Sequence, residues 1–120
     1  MEIKQENRIK GNKGEELATA FLKKAGYEII ERNYYLRSGE IDIIAYSPDK
    51  ILTFVEVKYR SSRSFGDPAL AVTPAKLQKI VKTAKHFMLV KKIPMETPCS
   101  IDVISITGDL IEHYKNVTGY

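Results

Sequence analysis

Apolar positions along the chain change period, and the changes mark the elements. Leu17, Ala18, Phe21, Leu22 and Ala25 recur at helical spacing with Gly26 following as a stop, which predicts a helix ending near Ala25. Asn12 followed by Glu15 reads as a capping box at its start, with a start around Glu6 as the alternative. From Tyr27 the period falls to 2. Residues 27–35, 40–46 and 51–59 read as strands, the last two joined by the turn Ser47-Pro48-Asp49-Lys50. After a Ser- and Arg-rich loop containing Phe65-Gly66-Asp67-Pro68, Thr73 as N-cap and Pro74 at N1 open a helix to about Val90. Strand-like runs at 100–107 and 110–114 then flank a Gly108-Asp109 turn. The order αβββαββ, with helices and strands sharing a core, predicts an α/β or α+β domain.

Composition narrows this. At 120 residues, 43% hydrophobic and 28% charged, the chain suits one folded domain over residues 1–120 and excludes disordered or low-complexity classes. The lone Cys99 makes no internal disulfide, which fits a reducing compartment. The start has no apolar segment of the secretory kind, and no run approaches a membrane span, so the expectation is a cytoplasmic protein without membrane contact. P-loop, Rossmann and Ser-His-Asp patterns are absent, and His86 and His113 lack partners at zinc-ligand spacing.

The chemistry concentrates in the middle hairpin. Residues two apart on a strand share a face, so Glu40, Asp42 and Ile44 form one set and Phe54, Glu56 and Lys58 another. A 3- or 5-residue loop centred on Asp49, the expectation here, sets Asp42 opposite Glu56, Glu40 opposite Lys58 and Ile44 opposite Phe54, gathering the polar groups on one side, whereas a 4-residue loop does not. Carboxylates held together repel unless a cation joins them, and oxygen ligands suit Mg²⁺ or Mn²⁺. Lys58 then sets an ammonium beside the attacking water or a scissile phosphate, a kit for phosphodiester hydrolysis. An ordinary amphipathic strand with cross-strand charge pairs has the same local appearance. Glu15, on the border of the first helix's apolar face, is a further ligand or an N-terminal capping glutamate; Glu16 points away.

Together GNKGEELA, GEIDIIA, FVEVKYR and FGDPALAVTPAK resemble the YraN family of small bacterial proteins, in order from about Gly11 to Ile104. That family is similar to archaeal Holliday-junction resolvases within the PD-(D/E)xK nuclease superfamily. The resemblance implies a restriction-endonuclease-like fold, a mixed central sheet flanked by helices. It makes Asp42 the motif aspartate, Glu56 and Lys58 the E-x-K pair, and Glu15 the helix glutamate. Ile41 stands where the superfamily name has proline, and Ser100-Ile101 where Arg-Phe is expected before Asp102.

Charge placement points to the substrate. From Lys58 to Lys92 there are nine basic residues and one acid, Asp67, whereas the rest of the chain holds ten basic and fourteen acidic residues. On the second helix Leu77, Ile80, Val81, Ala84, Phe87 and Met88 form the apolar stripe; Lys79 and Lys82 lie opposite it, with Lys76 and Lys85 on its flanks. With Arg60 and Arg63 these lysines make a candidate phosphate track that reads backbone and shape rather than sequence.

The expectation is thus a Mg²⁺- or Mn²⁺-dependent endonuclease on branched or structured DNA. Asp42, Glu56, Glu15 and the Val57 carbonyl hold metal, Lys58 stabilises the reacting charge, and two incisions imply a homodimer. The rivals are a DNA-binding module with the nuclease fold but no turnover, and an RNA-directed nuclease.

Overall fold

The computed structural model describes residues 2–60 and 72–118, with only the backbone given over 2–12. Seven elements follow the expected order. They are α1 (Glu2–Lys24), β1 (Glu28–Leu36), β2 (Gly39–Tyr46), β3 (Leu52–Arg60), α2 (Pro74–Val90), β4 (Cys99–Thr107) and β5 (Leu110–Tyr114). The strands form one mixed sheet in sequence order; every neighbouring pair is antiparallel except β3 and β4, which run parallel with α2 as their crossover. The chain is an α/β fold with a helix on each face of the sheet.

The two faces bury separate apolar sets. Ala18 and Leu22 of α1 pack on Ile43, Ala45, Val55, Ile104 and Ile106. Ile80, Ala84, Phe87 and Met88 of α2 cover Ile41, Ile44, Leu52, Phe54 and Ile101. Covered on both sides, β4 is buried without a break from Ile101 to Ile106, the signature of a strand inside a parallel pair. Among the described residues no helix is long and apolar enough to cross a membrane.

Local signals held where they were strong. The Thr73 side chain accepts from the Lys76 N–H at 3.2 Å and Pro74 opens α2. The start of the first helix differs from expectation: α1 begins at Glu2, so Asn12 is not an N-cap and Glu15 is not a capping glutamate but a mid-helix residue. Gly14 belongs there for a tertiary reason. A Cβ at this position would lie 3.0–3.3 Å from Cδ2, Cβ and Cγ of Tyr59, so only glycine lets α1 approach β3 this closely.

A carboxylate and lysine site at the fork of two strands

The hairpin takes the expected register. Residues 47–51 form a five-residue loop, and Ile44 opposes Phe54 with pairing from Tyr46↔Leu52 to Ile43↔Val55. Beyond that pair the strands part. β2 stays with β1 as far as Gly39↔Leu36, while β3 stays with β4 as far as Arg60↔Thr107. Asp42 and Glu56 stand at the crotch of this fork. The Val57 N–H, released from the ladder on that side, donates to Asp42 Oδ2 at 2.7 Å.

The expectation that Glu40, Asp42 and Ile44 share one face needs correction. Ile41 packs in the α2-side core and Ile43 in the α1-side core although they are two residues apart, so alternation lapses at Asp42. Its carboxylate turns toward β3 and the fork is reached from both faces. From the α1 side comes Glu15, buried at 7% exposure; Glu16 is exposed. Arg32 of β1 braces both acids, with Nη1 2.8 Å from Glu16 Oε1 and Nη2 3.8 Å from Glu15 Oε2. Oxygens of Glu15, Glu40 and Asp42 lie within 4.8 Å of one another.

From the α2 side comes Lys76, whose Nζ is 2.6 Å from Glu56 Oε1, with Lys58 Nζ 3.5 Å from the same oxygen. A cleft of about 320 Å³ joins Gly39, Glu40, Asp42, Glu56, Lys76 and Lys79. A Cβ on Gly39 would meet Thr83 Oγ1 at 3.0 Å and Lys79 Cβ at 3.3 Å, so this glycine seats the start of β2 under α2.

The electrostatics follow from this crowding. Burial, then the charge of Glu56 and more weakly those of Glu15 and Glu40, push the Asp42 carboxyl up to about 7 against the lowering effect of the Val57 N–H. Burial also raises the Glu15 carboxyl, partly offset by a hydrogen bond from Asn33 and the charge of Arg32. Burial and the neighbouring Lys76 lower the Lys58 ammonium. For Lys76, burial is outweighed by the bond to Glu56 and the ammonium is raised.

The structure therefore gathers Glu15, Asp42, Glu56 and Lys58 at one place, and Val57 contributes its N–H there. Sequence patterning names Glu40 beside Asp42 without making it a site residue, and it gives Lys76 to the phosphate track rather than to the fork. Lys76, placed by the wheel on a flank of a phosphate-gripping helix, turns into the carboxylates instead. Lys79 lines the cleft; Lys82 and Lys85 are exposed farther along α2, beside a groove with Leu77 and Val81. Arg60 ends β3 two residues past Lys58. Arg63 lies outside the described residues.

Away from the fork, Asp102 of β4 pairs with His113 of β5 at 2.7 Å and also accepts from the Asn116 N–H and the Ser100 hydroxyl. Although burial opposes it, these donors hold the Asp102 carboxyl below its usual range. Ser100, where the family resemblance leads one to expect arginine, thus serves this network. Cys99 is exposed at the start of β4, its Sγ 3.2 Å from the Thr97 carbonyl.

Comparison with known proteins gives a consistent result. A protein of Sulfurovum sp. (strain NBC37-1) is 46% identical over 112 residues, covering 92% of this chain and 95% of its own. One from Lachnoclostridium phytofermentans is 41% identical over 109 residues, covering 91% and 92%. A Clostridium perfringens protein is 48% identical over 91 residues, covering 76% and 74%. All three bear the name UPF0102 protein. The family model described as uncharacterised protein family UPF0102 matches residues 14–106, a span that begins one residue before Glu15 and takes in the whole fork. The chain belongs to the UPF0102 (YraN) family.

Proposed function

We propose that this protein is a divalent-metal-dependent endonuclease that hydrolyses phosphodiester bonds in branched or structured DNA. The observation that carries this reading is the convergence at one strand fork of an all-oxygen donor set with a lysine two residues past Glu56. The donor set fits a hard cation: Glu15 Oε2 is buried with no hydrogen-bond partner, and burial together with its acidic neighbours pushes Asp42 up. Asp42, Glu56 and Glu15, with the Val57 carbonyl, are the residues to hold it. When bound, Mg²⁺ or Mn²⁺ lowers the pKa of water and offsets phosphoryl charge.

The chain's own groups supply the rest. The Val57 N–H fixes the Asp42 carboxylate. Lys58 presents an ammonium to the charge that grows on the phosphoryl oxygens as water adds to phosphorus and the ester bond breaks. Lys79 at the cleft, with Lys82, Lys85 and Arg60 beyond it, grips backbone phosphates, which favours recognition by shape. A second copy supplies the second incision on a four-way junction.

The test is a cleavage panel of labelled four-way junction, flap, single-stranded and duplex DNA and structured RNA. It is run with Mg²⁺, Mn²⁺ or EDTA on wild type, Asp42→Asn and Lys58→Met. Metal-dependent cutting of branched DNA lost in both variants supports the reading. Cutting that survives both variants refutes the site, preferential cutting of RNA refutes the substrate, and DNA bound but never cut refutes catalysis.

A further inference from the structure

We infer that Lys76 is an exchangeable counter-ion of Glu56: it yields that carboxylate to the metal ion and carries its own charge to the scissile phosphate, as a second catalytic lysine beside Lys58. This rests on the proposed reading that a divalent cation works at the fork, and it keeps Glu56 among the ligands. Glu56 Oε1 serves two ammonium groups, Lys76 Nζ at 2.6 Å and Lys58 Nζ at 3.5 Å. The Glu56 side chain is only 8% exposed, so its charge needs a cation close by. Lys76 meets that need, and a divalent ion on the same carboxylate meets it more strongly. Beside such an ion an ammonium on Oε1 is repelled and no longer required. The exchange moves a charged side chain; Lys76 keeps its proton and no bond is made or broken.

Of the two lysines, Lys76 is the one placed to move. Lys58 rises from β3 itself and its side chain is 23% exposed, whereas that of Lys76 is 41% exposed and comes from a different element. Lys76 is the third residue of α2, and its N–H donates to the N-cap Thr73 side chain at 3.2 Å, so the backbone is fixed while the long side chain can swing. Its destination is the cleft of about 320 Å³ that it already lines. The strands give this cleft Glu40, Asp42 and Glu56; α2 and its cap give it Thr73, Lys76 and Lys79. Lys76 and Lys79 stand three residues apart and so share one face of α2. A phosphate drawn to an ion on the strand acids therefore lies beside both lysines, and the first turn of α2 holds no acid to repel it.

Mn²⁺ binding to the full chain, read by the electron spin resonance of free Mn²⁺ and by calorimetry, tests the exchange without depending on turnover. Lys76→Met is expected to tighten Mn²⁺ about five-fold or more, because the ion no longer displaces an ammonium. Lys79→Met removes the same charge from the same cleft, at an exposed position with no ion pair to Glu56 among the described residues, and should change the affinity less than about two-fold. Loss of fold would weaken Mn²⁺ binding, so the sign of the change carries the test. Unchanged or weaker binding in Lys76→Met, or an equal gain in Lys79→Met, overturns the inference. The cleavage panel on the same proteins keeps the claims apart. At saturating Mn²⁺, Lys76→Met is expected to cut about ten-fold more slowly or worse, with Lys76→Arg recovering most of the rate. Wild-type cutting by Lys76→Met overturns the passage to phosphate. Mn²⁺ tightened in Lys76→Met with no substrate cut by any of the proteins upholds the exchange at Glu56 and overturns the nuclease reading.

Discussion

Removing Lys76 is the most informative single perturbation of the fork, because it uncovers a repulsion the structure otherwise masks. The Glu56 side chain is 8% exposed and its Oε1 lies 2.6 Å from Lys76, with Lys58 farther off at 3.5 Å. At an effective dielectric of about 20, charges at this separation attract by roughly 6 kcal/mol before desolvation and side-chain ordering are subtracted. Exposed pairs retain about 0–1 kcal/mol, whereas stripping one partner from a buried pair costs about 3–5 kcal/mol. Lys76 is 41% exposed and Lys58 remains, so Lys76→Met is expected to cost about 1–2 kcal/mol. Glu56→Gln should cost less, because it also removes the charge that pushes Asp42 up. The double variant should therefore resemble Glu56→Gln alone, with a coupling of about 1 kcal/mol. The assay is urea unfolding at pH 7 in EDTA, followed by circular dichroism for all four corners of the cycle. A coupling below about 0.3 kcal/mol, or a larger loss in Glu56→Gln than in Lys76→Met, would refute the reasoning.

Three other outcomes are expected. Ile43→Ala, fully buried between α1 and the sheet, should lose about 2–5 kcal/mol and lower the urea midpoint accordingly; an unchanged midpoint contradicts the α1-side core. Gly14→Ala should lower the melting temperature even though alanine gains about 1 kcal/mol in helix propensity, because the Tyr59 Cβ it meets at 3.1 Å is tied to the β3 backbone; a higher melting temperature argues against the close approach. Asp102 has a folded pKa below its unfolded one, so its contribution is full above the unfolded value of about 3.9 and fades as pH falls through the folded value. The stability gap between wild type and Asp102→Asn should shrink as acid unfolding is followed below about pH 4, and a gap independent of pH contradicts the assignment.

What was legible in the sequence was local or set by parity. The second helix announced itself through Thr73 and Pro74, contacts made within one turn. The hairpin register followed from an odd loop because side chains alternate with a period of two. Of the two starts the sequence offers for α1, the structure favours the earlier one over the capping-box look of Asn12 and Glu15, and the glycine between them is explained only by Tyr59, 45 positions later. The lapse of alternation at Asp42 arises because β2 follows β1 away from β3, a choice made by the whole sheet. A helical wheel gives Lys76 an angle about its axis but not where along β3 its first turn docks, so its contact with Glu56 was out of reach. The Asp102–His113 pair, by contrast, was within reach. A two-residue turn at Gly108-Asp109 sets Ile104 opposite His113, and Asp102 is then its diagonal neighbour on the same face.

The charge balance of the fork gives the proposed chemistry a further rationale. Five carboxylates, Glu15, Glu16, Glu40, Asp42 and Glu56, are set against four cationic groups, Arg32, Lys58, Lys76 and Lys79. Without an ion the fork is short of one positive charge, and Asp42, pushed up to about 7 by burial first and then by the acids around it, is where the shortage is felt. A divalent cation turns a deficit of one into a surplus of one, the charge that a single phosphodiester complements. The same fork would repel a phosphate backbone in the absence of the ion, however many lysines line the outer face of α2. On this reading Lys76 has a double task. It keeps Glu56 from crowding Asp42 while the site awaits its ion, and it holds positive charge where the scissile phosphate must arrive. A site serving only to bind DNA gains nothing from these acids in the path of the backbone. That arrangement makes sense where a cation and a phosphate are meant to meet.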